Sequence, residues 1–263
     1  MHKAATVAGG ALGLAVLDAT ASVAAIRPLR LRWAPQLSGI GNPGHVALTF
    51  DDGPHPEATP KFLDALARLD VRATFFLLGE QLRRHPELAR RMVSEGHEIA
   101  VHGFQHRPHL LRAAPAVAAD LARARRDVER IAGTTPGYWR PPHGIPTATG
   151  LLTARRLGMR PVLWSAEARE WRSGASAASS LPLLRSQLAG GGVVLLHDSD
   201  VAMRRGAWQV TLALLPELVQ WCRSRGWQVG PLREHGLGAP PAPRPISPSR
   251  PRDLVEVGGQ PCA

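Results

Sequence analysis

Between residues 45 and 232 the chain alternates short apolar runs of β type with longer segments whose apolar positions recur every three to four residues. The β-type runs are HVALTF from His45, ATFFLL from Ala73, HEIAVH from His97, YWRPP from Tyr138, RPVLWSA from Arg160, GGVVLLHD from Gly191 and WQVGPL from Trp227. The longer segments predict helices running from Pro60 to Leu69, Pro86 to Ser94, Pro115 to Ala132, Thr147 to Leu157 and Trp208 to Arg225. Strands separated in this way by helices pair in parallel through right-handed crossovers. Polar residues gather at the C-terminal ends of several runs. That placement favours an α/β fold of distorted (β/α) barrel type, with about seven parallel strands, over a doubly wound sheet.

Two flanking stretches depart from this alternation. Residues 4–26 are small and largely apolar, long enough to cross a bilayer as a helix, interrupted by Asp18 and followed by Arg27, Arg30 and Arg32. The stretch is expected to be a signal or membrane anchor, the alternative being a soluble amphipathic arm. An extracytoplasmic domain, secreted or anchored, is the resulting expectation. The downstream arginines favour a cytoplasmic one under the positive-inside rule. Beyond Leu237 the chain turns proline-rich, APPAPRPISPSRPR, the pattern of an extended tail. The expected organisation is an apolar segment and linker over residues 1–40, one α/β domain over 41–236, and a tail over 237–263.

Composition narrows the function classes. The 263 residues are 44% hydrophobic and 20% charged, which excludes a disulfide-stapled miniprotein and a wholly disordered chain. The formal net charge is +11, and all but two of the 32 basic residues are arginine. Such a field suits acidic polymers, anionic membranes or nucleic acid. With no zinc-finger spacing, aromatic RNA-binding motif or long basic run, nucleic acid is not an expected partner. Cys222 continues a helical stripe with Leu212, Leu215 and Val219 and reads as core, while Cys262 lies in the tail, so no disulfide is expected. The domain is expected to be monomeric.

Five clusters carry candidate chemistry. In TFDDGP, Asp51 and Asp52 stand where an apolar strand breaks into a turn; neighbouring strand residues point oppositely, so one suits a metal and the other proton transfer. An Asx turn that merely ends the strand is the bland alternative. In HGFQH, His102 and His106 have the spacing that places two imidazoles on one helical turn. Joined to one carboxylate, they make the set used by hydrolytic zinc and non-haem iron. His109 is expected to be a loop residue, and His45, His55, His85 and His97 to be turn, cap or surface residues. In WRPPHG, two prolines fix the backbone so that the next N–H can serve an oxyanion, with Arg140 offering a guanidinium fork to a carboxylate. WSAEAREW sets two acids beside two tryptophans, and LLHD delivers His197 at a strand end.

Together and in this order, VALTFDDGP, ATFF with GHEIAVHGFQH, RPPHG, ExxEW and VVLLHD resemble the polysaccharide deacetylases with a NodB-homology domain, carbohydrate esterase family 4, across roughly His45 to Leu232. The resemblance implies a metal-dependent hydrolase that removes N-acetyl groups from amino-sugar glycans of chitin or peptidoglycan type. It implies Asp51 as general base, and Asp52, His102 and His106 as ligands of a divalent ion, zinc first and cobalt as a substitute. Arg140 would position Asp51, the His143 N–H would help hold the oxyanion, and His197 would be the general acid supported by Glu170. Trp171 and Leu195 would line the slot for the acetyl methyl. Four positions depart from the family pattern: Gly103 where Ser or Thr is frequent, His143 where Tyr is usual, and Glu167 and Glu170 in place of aspartates. An amidohydrolase acting on a small non-polymeric amide and an inactive glycan-binding homologue are the alternatives.

Overall fold

The structure is a computed structural model that describes residues 18–243. Most of the apolar stretch of 4–26, the tail beyond residue 243, and Cys262 lie outside the described residues. Eight strands are described: β1 (His45–Asp51), β2 (Thr74–Leu78), β3 (Glu98–Gly103), β4 (Tyr138–Trp139), β5 (Arg160–Pro161), β6 (Ala166–Glu167), β7 (Val193–His197) and β8 (Gln228–Gly230). The helices are α1 (Arg27–Trp33), α2 (Ala58–Leu69), α3 (Gly79–Arg84), α4 (Pro86–Ser94), α5 (Ala114–Ala132), α6 (Ala148–Arg156), α7 (Ala177–Gln187) and α8 (Ala207–Ser224).

The sheet runs β5-β4-β3-β2-β1-β7-β6, with the short β8 also paired to β1, and every pairing is parallel. β1, β2 and β7 are buried along their whole length, as continuous apolar runs in a parallel sheet must be. Phe50 of β1 stacks on Phe75 of β2 at 5.1 Å between ring centroids, and Phe62 of α2 meets it edge-on at 5.2 Å. α8 packs beside α2 on the same core, with Leu214, Leu215, Leu218, Val219 and the buried Cys222 joining Phe50 and Phe62 as its helical spacing predicts.

The run RPVLWSA forms no single strand. Its start pairs with β4 at one edge of the sheet and its end with β7 at the other, so residues 162–165 cross the gap and close the barrel. Val162 donates to the Trp139 carbonyl at 2.9 Å, and Ser165 to that of Val193 at 2.9 Å. Arginine side chains donate to the carbonyls of the crossing segment. β4 is also shorter than YWRPP suggests, because Pro141 and Pro142 have no N–H for a ladder.

Residues 18–40 pack against this closure. Arg30 of α1 is 2% exposed. Its donors reach Ser38 Oγ at 3.0 Å, the Ala24 carbonyl at 2.6 Å and the Trp164 carbonyl at 2.8 Å. Arg27 donates to the Ser165 carbonyl at 2.6 Å. Among the described residues no helix is long and apolar enough to cross a membrane.

Two histidines expected in turns or on the surface are buried instead. His97 is packed under β2, where its Nδ1 accepts from the Ala73 N–H at 3.2 Å. His45, at the N-terminal end of β1, faces His235 with the two Nδ1 atoms 2.8 Å apart, while His235 Nε2 donates to the Gly191 carbonyl at 3.0 Å. His235 therefore accepts from His45, and the pair has no place for a further proton between the rings. Burial lowers the pKa of both, that of His235 to about 4. The unfolded chain takes up a proton below about pH 6.5 that the folded pair refuses, so this pair costs stability as pH falls from there. Urea unfolding at pH 7.5 and 5.0 should show His235→Gln losing about 2 kcal/mol less than the wild type over that interval. Identical pH slopes for the two proteins would rule the pair out as an acid-sensitive element.

Candidate active site

β1 carries Thr49 and Asp51 to the C-terminal end of the barrel, where Asp52 follows. Strand alternation predicts that the two carboxylates point apart. Asp52 instead has a φ of 74°, a left-handed backbone that turns its side chain into the cavity that Asp51 also lines. His102 ends β3, and His106 follows in a loop rather than on the expected helical turn. The backbone leaves the strand at Gly103, with a φ of 142°, and the two imidazole centroids still come within 5.3 Å. A Cβ at Gly103 would sit 3.2 Å from Asp120 Oδ2, the oxygen that accepts the Phe104 N–H at 2.7 Å and so fixes the loop.

His102 Nε2 and His106 Nε2 lie 3.3 and 3.4 Å from Asp52 Oδ1. All three donor atoms fall within 4.8 Å of one another. Asp52 Oδ1 is buried and has no hydrogen-bond partner among the described residues. A buried carboxylate oxygen left unbonded between two imidazole nitrogens is an arrangement that a divalent cation completes. His102 Nδ1 donates to the Arg140 carbonyl at 2.9 Å, which fixes the tautomer and leaves the Nε2 lone pair facing Asp52. Burial opposes an ionised Asp52, yet the imidazoles of His102, His197 and His106 hold its carboxyl well below the usual range. Burial likewise lowers His106 to about 4, so it presents a neutral, ligating ring.

Asp51 stands beside this triad in a different environment. Arg140 Nη1 donates to Asp51 Oδ1 at 2.6 Å and contacts Thr49 Oγ1 at 2.9 Å. Arg140 Nε and Nη2 reach the carbonyls of Val162 and Leu163 at 3.2 and 2.8 Å. The fork is thus shared between the carboxylate and the closing segment. Across the cleft, His197 Nδ1 donates to Glu170 Oε1 at 2.7 Å. Burial by itself would lower His197, but Glu170, with Asp52 and Asp51, overrides it and raises the pKa to about 9. Trp171 meets the His197 ring edge-on at 5.4 Å, and Leu195 lines the same wall. The turn Pro142–Gly144 borders the other side, with His143 at φ 59° and the N–H groups of Gly144 and Ile145 donated to the Pro141 and Pro142 carbonyls. The resulting cleft has a volume of about 450 Å³.

A family model of polysaccharide deacetylases matches residues 39–162. A chitooligosaccharide deacetylase of Bradyrhizobium sp. (strain ANU 289) is 38% identical over 200 residues, which span 71% of this chain and 88% of that protein. The solved structure of a peptidoglycan N-acetylglucosamine deacetylase is 28% identical with a TM-score of 0.72, covering 80% of this chain and 98% of that one. A family 4 acetyl xylan esterase from Clostridium thermocellum, solved with a cobalt ion, is 27% identical with a TM-score of 0.65, covering 72% and 88%. The chain belongs to the NodB-type polysaccharide deacetylases of carbohydrate esterase family 4.

Measured against this family's pattern, the longer Glu170 keeps its contact with His197, and Thr211 Oγ1 adds a second donor to the same oxygen at 3.3 Å. His143 takes the Tyr position and packs edge-on to His106, 4.2 Å between centroids. His109 is buried in a short turn, stacked on Trp139 at 5.8 Å, and takes no part in the triad. Sequence reasoning missed Trp164, Glu167 and Met203 as lining residues and Thr49 as a partner of Arg140. For Trp164 and Glu167 the signal was present in the Trp-spaced acids; nothing in the sequence around Met203 gives a comparable signal.

After dialysis against Zn²⁺ or Co²⁺, the protein should hold about one ion per chain. His102→Ala should lose it, because one of three protein donors is gone, whereas Asp51→Asn should keep it. Elemental analysis of both variants tests this, and equal loss in each would contradict the separation of Asp51 from the triad.

Proposed function

We propose that this protein hydrolyses N-acetyl groups from amino-sugar glycans of chitin or peptidoglycan type, using a zinc ion held by Asp52, His102 and His106. The observation that carries this reading is the convergence, in one cleft, of that triad with a buried Asp51 on one flank and an imidazole paired to Glu170 on the other. When bound, the ion supplies Lewis-acid polarisation of the amide carbonyl and a water of lowered pKa. Asp51, fixed by Arg140, takes the proton of the attacking water. The N–H of His143, aimed by the left-handed backbone of its turn, donates to the oxygen on which negative charge develops. His197 delivers its proton to the nitrogen of the leaving amine as the C–N bond breaks, giving acetate and a free amino sugar. Trp171 and Leu195 supply an apolar wall against which the acetyl methyl would rest. The glycan substrate, together with the apolar stretch of residues 4–26, supports an extracytoplasmic location.

Purified protein loaded with zinc should release acetate from N-acetylglucosamine oligomers or peptidoglycan fragments. His197→Ala should lower kcat by about 10²- to 10⁴-fold without loss of metal. With His197 raised to about 9, its proton is present below that pH and lost above it. Glu170→Gln removes the carboxylate that raises it, so the alkaline limb of the kcat profile should move to lower pH. A limb that stays in place would show that His197 is not the acid. Cleavage of small amides with no acetate released from any acetylated sugar would overturn the glycan assignment.

A further inference from the structure

The crossing segment 162–165 presents four consecutive carbonyls, and each accepts a hydrogen bond from an arginine side chain. Val162 and Leu163 are taken by Arg140, Trp164 by Arg30 at 2.8 Å, and Ser165 by Arg27 at 2.6 Å. Arg27 and Arg30 lie upstream of residues 39–162, the part of the chain that the family model matches. Arg30 is buried and spreads its fork over Ser38, Ala24, Ala25 and Trp164, an arrangement that a flexible lysine cannot reproduce.

The indole of Trp164 lies near two buried guanidiniums, 5.6 Å from that of Arg30 and 5.8 Å from that of Arg140. Its Nε1 donates to Glu167 Oε2 at 2.9 Å. Its far edge touches the backbone of Gly144, closely enough that a Cβ there would collide with Trp164 Cη2. Gly144 has a φ of 65° and follows His143 directly, so the indole abuts the turn that aims the His143 N–H.

We propose that Arg27 and Arg30 are positioning residues of the active site: they hold the Trp164–Ser165 backbone so that the Trp164 indole fixes the His143–Gly144 turn. The proposal rests on the deacetylase reading above for its kinetic consequence. A donor to a developing oxyanion acts in the transition state and little in the ground state, so losing its alignment lowers kcat and leaves KM almost unchanged.

The test compares Arg30→Met and Arg27→Met with the wild type in acetate release, zinc content and amide hydrogen exchange. Arg30→Met should lower kcat by about tenfold with KM within about twofold and zinc unchanged, a scale consistent with a displacement below 1 Å. The amides of Gly144 and Ile145 should exchange faster while those of 98–106 keep their protection. Arg27→Met, at a half-buried site, should show the same pattern more weakly and guards against a failure of Arg30→Met to fold. Unchanged kcat in a folded variant, a loss confined to KM, or a uniform rise in exchange with loss of zinc would each overturn the proposal. If the wild type releases no acetate, the deacetylase reading has failed, and exchange at Gly144 and Ile145 alone then decides whether the arginines brace the turn.

Discussion

The Arg140 guanidinium is fully buried, and its donors are divided between a carboxylate in the cleft and the carbonyls of the segment that closes the barrel. A buried charge is tolerated only when its donors are matched, and removing one partner of such a set costs about 3 to 5 kcal/mol. Closure of the barrel and alignment of Asp51 are therefore one interaction seen from two sides. If the closing segment shifts, Asp51 loses its guanidinium. If Asp51 is removed, a positive charge is left unmatched beneath the cleft.

The two adjacent aspartates show how one short motif yields different chemical groups. Asp51 faces a guanidinium, whereas Asp52 faces imidazoles whose outer nitrogens are free to ligate. Across the cleft, the carboxylate of Glu170 keeps His197 charged, while burial keeps His106 neutral. Two histidines in one cavity thus present opposite protonation states, each set by what it touches.

The strand-and-helix order was legible because it depends on periodicity, and the gathering of Asp51, Asp52, His102, His106 and His197 in one cleft was legible because each stands in a motif at the end of a β-type run. Strand ends were less legible. RPVLWSA has the composition of one strand, yet no local rule says that its halves belong to opposite edges of a sheet. The left-handed backbone at Asp52 was invisible for the same reason, since propensity disfavours it and only the surrounding site holds it there. Arg27 and Arg30 carried the signal of a membrane flank. Their contacts with residues more than a hundred positions away have no trace in the local sequence.

The bend at Asp52 has a mechanical consequence. Because the two carboxylates are consecutive on the chain, their separation is set by one peptide unit and not by the docking of distant elements. A shift of the barrel's mouth would therefore carry that pair as one unit. Variation among the loops around the rim is then free to reshape the cleft without changing how the two carboxylates sit against each other.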